Sequence, residues 1–233
     1  EKAVPLAQAL CKGGLPVAEV TFRTAQAPEA IERIAKEVPD MLLGAGTVLT
    51  CEQADRAIAA GAQFIVSPGF NPKVVRHCID RGIAVTPGVT SPSDMEAAME
   101  LGLKVVKFFP AEQSGGLPFL KAVSAPYSSL RFMPTGGISA KNLNEYLAFN
   151  KIVACGGSWM VKPELIEAGE FDAITALTKD AVKTMLGFEL AHVGINCADE
   201  AQAEQIAQTF CALFDLEYSP RNSAVFAGAA VEC

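Results

Sequence analysis

Seven short apolar runs, each closed by a turn signal, recur at intervals of twenty-odd residues, and this rhythm constrains the fold more than any other feature of the chain. They span residues 18–21, 41–45, 64–66, 84–86, 105–108, 130–133 and 152–154. Between them lie stretches with apolar residues at three-and-four spacing, at 27–38, 52–60, 72–81, 93–101 and 141–149, preceded by another at 4–12. Strand alternating with helix predicts a parallel sheet. Runs apolar along almost their whole length must be covered on both faces, so a closed α/β barrel of the (β/α)8 TIM type fits them better than a sheet with one wet face. A doubly wound open sheet is the alternative, but its first strand should feed a GxGxxG turn and the sequence has none. Seven strands are one short of eight and the chain opens on a helix, so the first barrel strand is expected to be missing.

The pattern changes after Gly187, which divides the chain into an expected barrel domain at 1–187 and a partial α+β extension at 188–233. In the extension, 188–195 and 224–231 read as strands and 200–214 as an amphipathic helix. Forty-six residues cannot bury a core of their own. A net charge of -7 and the lack of any basic run argue against nucleic acid, so an anionic substrate needs local positive groups. Seven cysteines without a CxxC pair read as reduced thiols. With no membrane-length apolar run and a helical start at 1–4, the chain is expected to be soluble and cytoplasmic. Two histidines cannot supply a multi-histidine metal site, and His77 on its helix reads as a surface residue.

Chemistry in a parallel barrel collects at the carboxyl ends of the strands. One of those ends carries Lys107, a lysine inside a run that otherwise reads as buried. Burial disfavours the ammonium and leaves an amine able to attack a carbonyl; alternatively the stem crosses the core and the head reaches solvent or a structural carboxylate. Strand alternation puts Glu19 and Arg23 on one face, either as a structural ion pair or as a proton-transferring carboxylate beside a guanidinium suited to a substrate carboxylate. Thr47 could add a hydroxyl to that carboxylate. The last two strand ends carry Thr135-Gly136-Gly137 and Gly156-Gly157-Ser158, which either cradle a phosphate on backbone N–H groups or are merely tight turns.

Six segments in order, EVTFRT at 19–24, GAGTV at 44–48, SPG at 67–69, KFFPAE at 107–112, PTGGI at 134–138 and GGSW at 156–159, resemble the family of 2-dehydro-3-deoxy-phosphogluconate (KDPG) and 4-hydroxy-2-oxoglutarate (KHG) aldolases over about residues 1–186. The resemblance implies an eight-stranded barrel, usually a homotrimer, needing no metal or other cofactor. It implies a class I aldolase in which Lys107 forms the Schiff base and Glu19 transfers protons. Arg23 and Thr47 would hold the carboxylate, Pro68 and Phe109 line the pocket, and Gly136, Gly137, Gly157 and Ser158 bind a distal phosphate; apart from the resemblance, Thr135 or a loop residue could decide which C4 epimer is taken. Products would be pyruvate and glyceraldehyde 3-phosphate, or pyruvate and glyoxylate from the shorter acid. The extension faintly resembles the opening of a glyoxalase-like domain, where a strand histidine such as His192 can bind metal; packing is the preferred role for His192. A catalytically silent barrel whose extension binds a metabolite or partner is the competing reading.

Overall fold

Parallel strands, largely buried along Leu42–Gly46 and Val105–Phe108 but alternately exposed and half-buried along Val17–Thr21, build the first unit of this computed structural model, which describes residues 1–187 and 197–213 fully and residues 192–194, 214, 217–219, 223–226 and 229–232 by their backbone. In chain order the elements are α1 (Ala3–Lys12), β1 (Val17–Thr21), α2 (Ala27–Glu37), β2 (Leu42–Gly46), α3 (Cys51–Ala59), β3 (Phe64–Val66), α4 (Pro72–Asp80), β4 (Ala84–Thr86), β5 (Gly88–Val89), α5 (Pro92–Glu100) and β6 (Val105–Phe108). A 3-10 turn (Glu112–Ser114), α6 (Gly116–Val123), β7 (Arg131–Pro134), α7 (Leu143–Leu147), α8 (Pro163–Ala168) and α9 (Phe171–Leu186) follow. Strands β1 to β4 pair in sequence order, as do β5 to β7, and every pair is parallel. Pro87 divides β4 from β5, yet the wall continues across it: Lys107 N–H donates to Pro87 O at 2.9 Å and Gly88 N–H to Ser67 O at 3.0 Å.

Local chemistry agrees with this layout. The Asn71 and Thr50 side chains cap α4 and α3, and Ser91 with Asp94 forms a reciprocal capping box at α5, so these helices start immediately after their strand-end loops. Ile31, Leu43 and Ile65 anchor one core cluster; Phe108, Leu120, Phe132 and Tyr146 anchor the second, where Phe108 stacks on Phe119. Helices α6, α8 and α9 lie beyond the stretches that periodicity singled out. Among the described residues no helix is long and apolar enough to cross a membrane.

Two expectations need correction. The run at 152–154 does not form a strand; it makes only isolated parallel bridges, Phe132 to Ile152 and, further on, Thr135 to Gly156. Phe132 N–H donates to Lys151 O and Val153 N–H to Phe132 O, but the next rung needs an N–H from residue 134, which is a proline. The ladder therefore stops and resumes where Gly156 N–H donates to Pro134 O at 2.8 Å. On the opposite edge of the wall, β1 pairs only with β2 among the described residues.

The second correction concerns the extension. The chain divides into compact units at Glu1–Met185 and Leu186–Cys233. The second contains β8 (His192–Gly194), α10 (Glu200–Phe214), β9 (Glu217–Ser219), β10 (Ser223–Phe226) and β11 (Ala229–Glu232), ordered β8-β11-β10-β9. The run at 224–231 is thus two antiparallel strands instead of one, Ser223–Phe226 and Ala229–Glu232. Residues 188–191 and 195, expected to extend the first strand, lie outside the described residues, as does the side chain of His192.

The closest packing in the wall yields a stability test. A Cβ on Gly88 would lie 2.0 Å from the Pro68 carbonyl oxygen, a backbone atom that cannot move aside, whereas one on Gly69 would meet nothing within 4 Å. Gly88→Ala is expected to lower urea-unfolding stability by roughly 1–3 kcal/mol, and Gly69→Ala to stay within about 0.5 kcal/mol of the parent.

Candidate active site

Strand register brings the candidate groups to one end of the barrel. In β6, Val106 and Phe108 are fully buried and Lys107 points to the other side of the strand, flanked in register by Gly88 of β5 and Met133 of β7. Its side chain is only 7% exposed, and Nζ lies 3.9 Å from Glu19 Oε1 on β1 and 4.7 Å from the centroid of the Phe109 ring. The amine therefore reaches a carboxylate across the barrel, not solvent. Burial lowers the Lys107 pKa below its ordinary value of 10.5; the Glu19 carboxylate pulls it back up, and the Arg23 guanidinium lowers it further. Burial is the largest of the three influences, so the neutral amine gains population.

Room for Glu19 comes from the neighbouring strand. A Cβ on Gly46 would fall 2.5 Å from Glu19 Oε1, so only glycine lets the carboxylate pass over the end of β2 toward Lys107. Thr47, next in sequence, holds a left-handed backbone at φ 57, where a β-branched residue is strained. Pro68 sits beyond β3, with Ser67 Oγ donating to Gly69 O at 2.9 Å to tighten the turn.

The glycine turns form at the ends of β7 and of the bridged segment after it. Gly136 and Gly137 have φ of 97 and 82, which only glycine adopts freely. Thr135 bridges Gly156, whose missing Cβ leaves space for Thr135 Oγ1. Gly157 is required by a different neighbour: a Cβ there would lie 1.9 Å from the Trp159 ring. Gly157 and Ser158 are exposed on the same rim.

Other features fall elsewhere. His77 Nε2 pairs with Asp55 Oδ1 at 3.0 Å, and Arg81 Nε reaches the same oxygen at 3.2 Å, making a partly exposed cluster on α3 and α4. A cavity of about 470 Å³ beside it, lined by Cys51, Lys73, Arg76 and Leu101, includes none of the candidate residues. Among the described residues no group of three or more His, Cys, Asp or Glu side chains could hold a metal ion.

Sequence reasoning overlooked three contributors. Gly46 is one. Glu112 and Tyr146 are the others: the Tyr146 hydroxyl, on α7, donates to Glu112 Oε1 just behind the Gly136-Gly137 turn. Glu112 lies within the KFFPAE segment, but its partner is 34 residues away and no spacing rule links them.

A family profile described as KDPG and KHG aldolase matches residues 1–177. The chain belongs to this aldolase family. Among similar proteins, the 2-dehydro-3-deoxy-phosphogluconate aldolase of Treponema pallidum is 55% identical over 183 residues, 78% of this chain and 87% of that protein. Among solved structures, the KDPG aldolase of Legionella pneumophila, with pyruvate captured at low pH as a covalent carbinolamine intermediate, superposes with a TM-score of 0.74 at 42% identity, covering 76% of this chain and 86% of that one. The 2-keto-3-deoxy-6-phosphogluconate aldolase of Zymomonas mobilis with 3-phosphoglycerate gives 0.72 at 45% identity, covering 77% and 84%. The profile match lies within the first unit, and the parallel α/β wall is the architecture the KDPG and KHG aldolases share with this chain.

The depressed Lys107 pKa has a measurable consequence for this aldolase. Because the folded value lies below the unfolded one, the unfolded chain binds more protons between the two, and stability rises with pH through that interval. Lys107→Met removes the burial cost of the ammonium. Its melting temperature is expected to exceed the parent's near neutral pH, with the gap narrowing as pH rises toward 10.5; thermal melts across that range check it.

Proposed function

We propose that the protein is a class I aldolase that cleaves 2-dehydro-3-deoxy-6-phosphogluconate to pyruvate and glyceraldehyde 3-phosphate, and 4-hydroxy-2-oxoglutarate to pyruvate and glyoxylate. The observation that carries this reading is the buried Lys107 amine facing the Glu19 carboxylate at 3.9 Å. Folding gains nothing from placing a lysine there, since burial disfavours its charged form.

Chemistry follows from that pair. Neutral Lys107 attacks the C2 ketone to give a carbinolamine, which loses water to become a protonated imine. A base takes the proton from the C4 hydroxyl while the C3–C4 bond breaks; its electrons flow into the iminium as an enamine and the C4 carbon leaves as an aldehyde. The enamine then accepts a proton at C3, and water hydrolyses the resulting imine to release pyruvate and regenerate the amine. Glu19, directly or through one water, takes the first proton and returns it in the second step. The pyruvate carbinolamine captured in the Legionella pneumophila relative corresponds to the last covalent intermediate of this sequence, formed when water adds to the pyruvate imine.

Binding groups divide the rim. Arg23 offers a planar fork to the substrate carboxylate and Thr47 a hydroxyl, while Pro68 and Phe109 border the reacting carbons. At the far end, the turns Gly136-Gly137 and Gly157-Ser158 present N–H groups to the phosphate, with Thr135 between them beside the C4 hydroxyl. The 3-phosphoglycerate in the Zymomonas mobilis relative supports a phosphate-accepting site in this family. All these groups belong to the first unit. The reading includes a homotrimer, as the family resemblance implies, and a cytoplasmic setting, which the free thiols Cys11, Cys78 and Cys155 support.

Incubation with pyruvate and borohydride, followed by peptide mapping, is expected to give a reduced pyruvyl adduct on Lys107. Lys107→Ala should abolish the adduct and lower kcat by at least about 10³-fold; an adduct elsewhere, or none on the folded parent, would overturn the assignment. Gly46→Ala displaces Glu19 and is expected to cut kcat about 10²-fold while the adduct still forms.

A further inference from the structure

Behind the Gly136-Gly137 turn lies a polar contact that the chemistry above leaves unused. The backbone just past Lys107 is fastened to the turn: Ala111 N–H donates to Thr135 O at 2.8 Å and Glu112 N–H to Gly136 O at 3.1 Å. The Glu112 side chain then runs against the turn itself, since a Cβ on Gly137 would lie 2.4 Å from Glu112 Cγ. Its carboxylate ends beside Gly116, where an added Cβ would come within 3.2 Å of Glu112 Oε1 and 3.3 Å of Tyr146 Oη. Tyr146 is 2% exposed and donates its hydroxyl to that oxygen.

A second side chain from α7 holds the same turn. Asn142, immediately before the helix, donates Nδ2 to Gly137 O at 3.0 Å and accepts from Ser139 N–H at 2.8 Å. Asn142 and Tyr146 stand four residues apart and so share one face of α7. One grips the turn directly and the other grips it through Glu112.

The arrangement also answers an electrostatic difficulty. A carboxylate accepts hydrogen bonds and donates none, so beside an anion-binding turn it would repel a phosphate and compete for the N–H groups that should receive it. The Tyr146 hydroxyl gives that carboxylate a partner on the α7 side. Burial and the contact with Glu112 both push the tyrosine pKa up, so the hydroxyl keeps its proton and remains a donor through the physiological range.

Resting on the reading of this turn as the phosphate subsite, we infer that Tyr146 and Glu112 are positioning residues for that subsite: the tyrosine draws the carboxylate away from the ligand side and fixes the Gly136-Gly137 turn in its phosphate-accepting shape. Neither residue touches the reacting carbons. Their loss should change recognition of the phosphate and leave Schiff-base chemistry intact.

The test compares the parent, Tyr146→Phe, Glu112→Gln and the double variant on phosphorylated 2-dehydro-3-deoxygluconate and on unphosphorylated 4-hydroxy-2-oxoglutarate, with inorganic phosphate as a competitive inhibitor. Tyr146→Phe is expected to raise KM for the phosphorylated substrate and the inhibition constant of phosphate roughly tenfold, with kcat within about twofold. KM for the unphosphorylated substrate and the rate of pyruvate trapping by borohydride should not move, which also shows that the variant is folded. Glu112→Gln removes the charge and keeps an acceptor for Tyr146, so it should bind phosphate at least as well as Tyr146→Phe does, and adding it to Tyr146→Phe should recover part of the lost affinity. A parent selective for the phosphorylated substrate, with Tyr146→Phe shifting both KM values equally or neither, overturns this inference alone. A parent indifferent to the phosphate and to inorganic phosphate overturns the subsite reading, and this inference with it.

Discussion

Burial of the Lys107 amine is the constraint around which the barrel end is organised. An ammonium removed from water must be compensated or neutralised. Here the Glu19 carboxylate at 3.9 Å and the Phe109 ring face at 4.7 Å favour the cation, while burial and Arg23 oppose it, and the opposing influences prevail. That balance depends on where β1 and β6 place these side chains.

Glycine makes that placement compatible with close approach. Gly46 lets Glu19 cross β2, Gly88 lets β5 lie against the Pro68 carbonyl, and Gly156 lets Thr135 turn toward its bridge partner. Each missing side chain is filled by a specific neighbour, so these glycines are part of the packing instead of gaps in it. Thr47 makes the complementary point: it accepts a left-handed backbone that glycine would adopt more cheaply, directly after the end of β2 that pairs with β1.

Much of this was legible in the residues because the information is local. Strand ends at 64–66, 84–86 and 105–108 are set by apolar runs between turn formers, and a lysine in one of them stands out against its surroundings. What escaped was non-local or subtractive. The strand at 152–154 fails because a proline on its partner withholds one hydrogen, which no reading of the run itself reveals. Glu112 sat in plain view within a recognised segment, but its significance depends on a tyrosine that only the folded chain brings to it.

Helix α7 has a consequence of its own. At five residues it is too short to persist in isolation, so it exists only while Leu143 and Tyr146 remain sunk in the second core cluster. Lys107, by contrast, rides on β6, which is paired on both sides, and Glu19 on β1, which is paired with β2. If the Gly136-Gly137 turn holds the substrate's phosphate, as proposed above, loosening α7 by warming or by a core substitution would act on the choice between substrates before it acts on the bond-breaking step. On that reading, discrimination is the more fragile property and reactivity the more durable one.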